Sequence, residues 1–433
     1  MARSFPVNSD TNSTAGFFFL LLYTVALFVR PQEWTFHADP FPYARILLII
    51  SFLAYIVLQR PKIWGIQGWC LFGILLLIPL SGLRNGWFGG GITQGIDFFI
   101  YSLVPFLLYS SLVSSQAKHR LIFYVFAIAL VFMLHHGITQ KFSPDGIGWT
   151  GEPLSQGTRI TYVGFFNDPN DLAMFFIMNI PIMMYMSLTA SNFITKLTFF
   201  VIAMTLFYGV FLTNSRGGLV GLMALIMTFI YFRYGKIKTF FLGAITLPAA
   251  YVAMSMFRTI DSKEESAYGR IEAWYEGIQM FKYRPLFGVG KGGFIEHHKR
   301  TAHNSYVLML AELGALGYLM WFMLIALTLL MLIKVFTLEK SRFKEKEHII
   351  NDIFLAKCLF LSFIGFLATA FFLTRTFVVF LYVFIGLAVA VYYRVQKEAP
   401  EIGEVTSKNS LLRILAAGLL SLIGLYFIIV LLL

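Results

Sequence analysis

The sequence predicts an all-α fold: a polytopic transmembrane helix bundle of about 12 to 13 spans, with a long extracytoplasmic loop containing short amphipathic helices. Three observations carry this. The 433 residues are 58% hydrophobic, 17% aromatic and only 13% charged, about half the charged fraction of a soluble chain. Apolar stretches of about 20 residues, enough to cross a hydrocarbon core, recur from end to end. An open backbone cannot go unpaired in lipid, so these stretches read as helices.

Taken in order, thirteen apolar runs are bounded by charge or turn residues: 16–29, 44–59, 66–82, 97–114, 119–138, 169–188, 196–213, 216–232, 239–256, 304–333, 350–373, 376–393 and 412–432. Nothing is left for a separate soluble domain, so residues 1–433 read as a single integral membrane domain. The first run is followed by Arg30-Pro31-Gln32-Glu33-Trp34 and not by a small-residue cleavage site, which makes it a retained span rather than a signal peptide. Cys70 and Cys358 both sit inside apolar runs, so neither a disulfide framework nor a thiolate metal site is expected.

A net charge of +12 is compatible with nucleic acid, anionic lipid or an anionic substrate, and its placement decides between them. With the N-terminus cytoplasmic, the inside segments hold eighteen Lys and Arg and the short outside segments seven, the bias of the positive-inside rule. Anionic headgroups account for the inside charge. No aromatic-basic module points to nucleic acid. Two outside segments are too long to be simple turns, 137–168 and 257–303. The second carries eight Lys and Arg against six acids, with His297, His298 and His303, and so runs against the orientation bias.

Within 257–303, Ile271, Trp274, Tyr275, Ile278 and Phe281 recur at helical spacing, which predicts a short amphipathic helix at the membrane surface. Arg270 would share a face with Trp274. It either snorkels to headgroups or pairs with Glu272 or Glu276, or it offers a planar fork to a phosphate. His303 is either a solvated or capping residue at a helix start, or a general base oriented by Asn304, since imidazole takes a proton near neutral pH. His297-His298 with His303 matches no zinc spacing, and no metal is expected. Gly288-Val289-Gly290-Lys291-Gly292-Gly293 lacks Walker spacing and reads as a loop turn, with a nest of amides near a phosphate as the other reading.

Arg216, in Thr213-Asn214-Ser215-Arg216-Gly217-Gly218, and Arg375, in Leu373-Thr374-Arg375-Thr376, fall at outer turns, where ionisable groups are costly and usually functional. Three or four arginines are therefore expected to converge on one outer-face cavity. Asn167-Asp168-Pro169-Asn170-Asp171-Leu172-Ala173 opens a span, and helix capping alone accounts for it. Asp168 and Asp171 nonetheless offer alternative bases at the level of His303.

Gly269-Arg270 with Trp274, Pro285-Leu286-Phe287-Gly288-Val289-Gly290, His303-Asn304-Ser305-Tyr306 and Glu312-Leu313-Gly314 follow one another in an order that resembles the O-antigen ligase and polymerase superfamily of bacterial membrane glycosyltransferases. The Asn167–Ala173 and Ser215–Gly218 elements fit the same pattern. The resemblance implies transfer of a glycan from an undecaprenyl diphosphate carrier at the periplasmic face of the inner membrane, with no metal, cofactor or nucleotide sugar. Carried over by position, Arg216 and Arg270 bind the diphosphate and His303 activates the acceptor hydroxyl. Arg258, Trp274, Tyr275, Lys291, Arg300, Asn304, Arg375 and Asn170 are the surrounding substrate-binding candidates. Within the superfamily a ligase that uses lipid A-core is favoured over a polymerase of repeat units or a transferase to protein. The superfamily's architecture counts fewer spans than the thirteen read here.

A secondary transporter for anions is the reading from another class. It requires inverted repeats with broken helices near the midplane. No such repeat is evident in the sequence, and the candidate charges fall at span ends.

Overall fold

The computed structural model describes residues 13–34, 42–256, 265–343, 345–403 and 405–432, without the side chains of 240–242, 244–256, 265–268 and 432. In chain order the helices are α1 (Thr14–Thr24), α2 (Tyr43–Leu58), α3 (Gly65–Arg84), α4 (Phe88–Phe98), α5 (Val104–Leu112), α6 (Gln116–Phe142), α7 (Pro169–Leu188), α8 (Phe193–Leu212), α9 (Arg216–Met256), α10 (Glu265–Tyr283), α11 (Gly293–His297), α12 (Ser305–Phe336), α13 (Glu347–Ala370), α14 (Val379–Glu398) and α15 (Lys408–Leu432). Among the described residues, 11 helical segments are long and apolar enough to cross a membrane, and α2 is a shorter apolar helix. The described residues form no strand, only isolated bridges at Ile147–Pro153 and Ser155–Arg159. The protein is a multi-pass helical bundle.

The helices differ from the sequence expectation at four places, three in where they begin and end and one in an internal kink. The run at 97–114 starts earlier, at Phe88, and continues through a π turn at Phe99–Leu103 into α5. Gly89-Gly90-Gly91 reads as turn material, yet it is helical because α4 packs on α3 through Gly82 and Gly91. A Cβ on Gly82 would lie 2.8 Å from the Gly91 Cα. Small residues let helices approach this closely where no hydrophobic force separates helix from lipid. The runs 216–232 and 239–256 both fall in α9, which is broken at Gly235 (φ 82, ψ 179). α6 extends to Phe142, so the first long loop is confined to 143–168. Finally, α12 is kinked at Gly314 (φ 65, ψ −165).

Burial separates a centre from a periphery. The most apolar windows of α7 and α14 are 89% and 83% buried, against 17% in α15. Aromatic rings fill the centre: Phe28 stacks on Phe175 at 5.1 Å and Phe126 on Phe384 at 5.8 Å. On the periphery Val57, Ile194 and Leu420 are exposed, an apolar outside that requires a lipid surround.

The connections gather at two opposite ends. At one, Trp34 Nε1 donates to the Tyr162 hydroxyl (2.8 Å), Ser81 Oγ to the Phe287 carbonyl (2.6 Å) and Ser305 Oγ to the Leu373 carbonyl (2.6 Å). At the other, Ser13 N–H donates to Gln59 Oε1 (2.9 Å), Ile63 N–H to Ser111 Oγ (2.9 Å) and Arg120 Nη2 to the Thr189 carbonyl (2.9 Å).

The Gly82–Gly91 contact gives a stability test. Gly82→Val inserts a branched side chain against backbone and should lower the stability of the solubilised protein by about 1–3 kcal/mol. Gly89→Ala, at a helical position with open space around it, should leave the thermal midpoint unchanged.

Candidate functional site

The loop between α10 and α12 is shaped by direct backbone contact with α12. Gly288 (φ 68) and Gly314 (φ 65) take left-handed conformations that only glycine adopts freely. A Cβ on Gly288 would fall 2.3 Å from the Glu312 carbonyl carbon, and one on Gly314 2.5 Å from that of Leu286. With nothing between the backbones, the N–H groups of Val289 and Gly290 donate to the carbonyls of Ala311 and Glu312 at 2.9 Å, and that of Ala315 to Pro285 at 2.8 Å. The Glu312 carboxylate in turn receives the N–H groups of Gly292 and Phe294. The glycine-rich segment is thus a nest, and a carboxylate of the chain itself fills it.

This loop forms one wall of a cavity of about 550 Å³. Lys291, Glu312, Asp168, Asp171, Arg375 and Gln94 are its charged and amide lining residues. Lys291 Nζ donates to Gln94 Oε1 and lies 5.2 Å over the Phe377 ring. Burial pulls the Lys291 ammonium below the ordinary lysine value.

Across the cavity, Asp168 caps α7 by accepting the Asn170 N–H (2.8 Å) and also accepts from Arg375 Nη2 (2.9 Å). Asp171, one turn on, takes Arg375 Nε. The Arg375 N–H donates to Ser305 Oγ (2.8 Å), which fastens this ion-paired cluster to the start of α12. Asn170 joins three elements: its Nδ2 donates to Asp168, while its Oδ1 accepts from Arg159 Nη2 and Ser215 Oγ, both at 2.8 Å.

His303 precedes α12 and is held in a left-handed conformation (φ 46), unusual outside glycine. Its ring is half-buried. Burial first, then the Arg270 charge, lower its pKa below the ordinary imidazole value; Arg375 and Arg300 act in the same direction and Asp168 opposes them. Arg270 is half-buried on α10, and Arg300 packs over the neighbouring Gly269, where a Cβ would fall 2.1 Å from Nη1. His303 itself does not line the cavity, but Thr301 two residues before it does, and the charges of Arg270, Arg300 and Arg375 all reach its imidazole.

The other expected residues take different places. Arg216 is exposed at the first turn of α9, beside Ser215, and does not line the cavity. Of the arginines expected to converge there, Arg375 alone among the described residues is a lining residue, and its charge is matched by two aspartates. Trp274 is buried against Phe371 (centroids 5.3 Å apart), and Tyr275 is exposed on α10. The apolar face of α10 is taken up by α12 and α15, so this helix packs on the bundle instead of lying free at a surface. Asn304 accepts the N–H groups of Tyr306 (2.9 Å) and Val307 (3.1 Å), capping α12, and makes no described hydrogen bond to His303. His297 and His298 bond to backbone carbonyls of their own loop, at Gly293 (2.8 Å) and Arg300 (3.1 Å). Arg258 lies outside the described residues.

Residues 200–322 match the O-Antigen ligase family model. The resemblance to the O-antigen ligase and polymerase superfamily is thereby shown for this stretch of the chain. The O-antigen ligase match contains Arg216, Arg270, the Gly288–Gly293 loop, His303, Glu312 and Gly314. The carboxylate wall of the cavity, Asp168 and Asp171, Arg375, and Gln94 all lie outside it. A search of the curated proteins finds no match.

Gln94 and Glu312 carry no role in the sequence reading. The available signal is a polar or ionisable residue inside an apolar helix, which in a membrane protein faces the bundle interior.

The electrostatics of His303 fix a pH dependence. Its lowered pKa leaves it neutral at pH 7, so any step in which it accepts a proton is lost as pH falls through that value. Removing a lowering charge by Arg300→Gln should move the acid limb of kcat/KM to higher pH, and Asp168→Asn should move it to lower pH. Rate measurements across the acid range with glycan transfer as readout check both signs.

Proposed function

We propose that this protein is a membrane glycosyltransferase that moves a glycan from undecaprenyl diphosphate to an acceptor hydroxyl at the periplasmic face of the bacterial inner membrane, acting as an O-antigen ligase on lipid A-core without a metal. The observation that carries this is the half-buried His303, two residues from the cavity-lining Thr301 and within the electrostatic reach of Arg270, Arg300 and Arg375.

In the reaction, a neutral His303 takes the proton of the acceptor hydroxyl as that oxygen attacks the anomeric carbon. The bond between this carbon and the diphosphate oxygen breaks, and the carrier diphosphate leaves with the electron pair. Arg270 meets the charge developing on the leaving group, with Arg300 beside it and Arg216 exposed at the same end of the bundle. Fixed guanidinium groups do this without reorganising at the moment of reaction. Lys291 adds a cation on the opposite wall, held by Gln94. Because Asp168 and Asp171 both engage Arg375, they serve to position that arginine; His303 is favoured as base.

The orientation rests on charge distribution. The end that carries His303 is the Lys/Arg-poor end apart from its long loop, which faces it away from the cytoplasm. The exposed apolar periphery then lets a lipid-linked donor arrive laterally through the bilayer.

His303→Ala should lower transfer by about 100- to 10,000-fold, the usual contribution of a positioned base, while the thermal midpoint stays near that of the native protein. Arg270→Ala should abolish transfer as well, with Arg270→Lys recovering only a minor part, because an ammonium does not reproduce the planar fork. The assay uses purified carrier-linked glycan with lipid A-core or with a second carrier-linked unit as acceptor. Transfer to the second unit alone would make the protein a polymerase, and near-native turnover by His303→Ala would remove the histidine from the chemistry.

A further inference from the structure

At the end of the bundle away from His303, a second cavity of about 830 Å³ opens between the α2–α3 turn and the ends of α5 and α14. Gln59, Lys62, Ser111, Ser114, Arg394 and Lys397 are among its lining residues, and among the described residues no Asp or Glu lines it.

Its walls are fixed. Arg394 donates Nε and Nη2 to the buried Asp352 carboxylate at 2.7 and 2.6 Å, and its Nη1 lies 3.1 Å from His119 Nδ1. Gln59 accepts the Ser13 N–H, and its Nε2 donates to the Ser111 carbonyl (3.3 Å). At the rim, Lys118 Nζ donates to Ser114 Oγ (3.3 Å). The Lys62 ammonium donates to the Ile56 carbonyl (2.7 Å) and lies 5.6 Å over the Tyr55 ring, so neither of these contacts brings it an anion. Desolvation and the like charge of Arg60 pull Lys62 below the ordinary lysine value, and a bound anion would relieve the second of these. The indole N–H of Trp64, also on the wall, has no hydrogen-bond partner.

The surroundings select the anion. Val57, Leu58 and Trp69, on the two helices that lead into the α2–α3 turn, are exposed and require acyl chains against them. A free phosphate would leave that surface uncovered. We propose that this cavity binds the phosphate headgroup of an anionic phospholipid, with Lys62 and Lys397 as its cationic contacts and the acyl chains lying along α2 and α3. Basic pockets between helices on the cytoplasmic side are suited to such headgroups.

Native mass spectrometry of the detergent-solubilised full chain, titrated with phosphatidylglycerol or phosphatidylcholine, tests this. The native protein should retain phosphatidylglycerol about tenfold better than phosphatidylcholine. Lys62→Ala with Lys397→Ala should lose that preference and the thermal stabilisation that accompanies it. Lys340→Ala with Arg342→Ala, two exposed charges near the same end, should keep both. Equal retention of the two lipids by the native protein, or an undiminished preference in the Lys62/Lys397 variant, would overturn the proposal. Displacement of phosphatidylglycerol by inorganic phosphate, together with phosphate-dependent stabilisation in the absence of lipid, would assign the cavity to a soluble phosphate and overturn the lipid assignment.

Discussion

Arg375 lies between two carboxylates of the first turn of α7, and its own backbone N–H is bonded to Ser305 at the start of α12. One residue therefore ties together the opening of the most buried helix, the α13–α14 turn and the helix that follows His303. The Asp171 side of the pairing is shielded from water, whereas the Asp168 side chain is 38% exposed, so the cost of breaking the tie falls mainly on Asp171. Removing one side of such a pair leaves an uncompensated charge and costs about 3–5 kcal/mol, far more than the net worth of the intact pair. The cavity wall made by Asp168, Asp171 and Arg375, and its attachment to the start of α12, depend on this tie.

The architecture was legible because hydropathy and charge obey the bilayer, and both act through long averages that survive local error. What averages missed were single residues. Gly89-Gly90-Gly91 looks like a turn to any propensity scale, and only the facing Gly82 makes it a helix. That misplaced boundary hid Gln94, which became an interior cavity residue once α4 began at Phe88. Arg216, Arg270 and Arg375 were equally visible in the sequence, but it carries no information on which carboxylates would meet them. Arg375 is paired with Asp168 and Asp171, and the charges of Arg270 and Arg300 bear on His303. The conformation of His303 was likewise invisible, since it arises from the turn into α12.

The two ends of the bundle share one physical problem and solve it differently. Each gathers cations where helices leave the apolar layer. At the His303 end the cations face carboxylates and a half-buried base, an arrangement suited to moving a proton and balancing a developing charge. At the other end the Arg394–Asp352 pair closes on itself, and among the described residues no Asp or Glu lines the cavity that Lys62 and Lys397 face. Chemistry requires groups of both signs with separated tasks; retention of a lipid requires only one.

The backbone contact of Gly288 with Glu312 and of Gly314 with Leu286 bears on how such a protein can vary in length. Because it is backbone against backbone, the loop is in register with α12 residue by residue, through Val289 on Ala311 and Gly290 on Glu312. An inserted residue between 288 and 293 would rotate Lys291 off its wall and strip Glu312 of its amide donors, so this interval is closed to insertion and deletion. The 143–168 segment makes its backbone hydrogen bonds mostly within itself. Beyond the flanking ends of α6 and α7, the Ile160 N–H to the Leu212 carbonyl is its backbone bond to a helix among the described residues, so it is less tightly in register with the bundle. Drift in loop length across descendants of this sequence should therefore accumulate in the first loop and leave the second fixed.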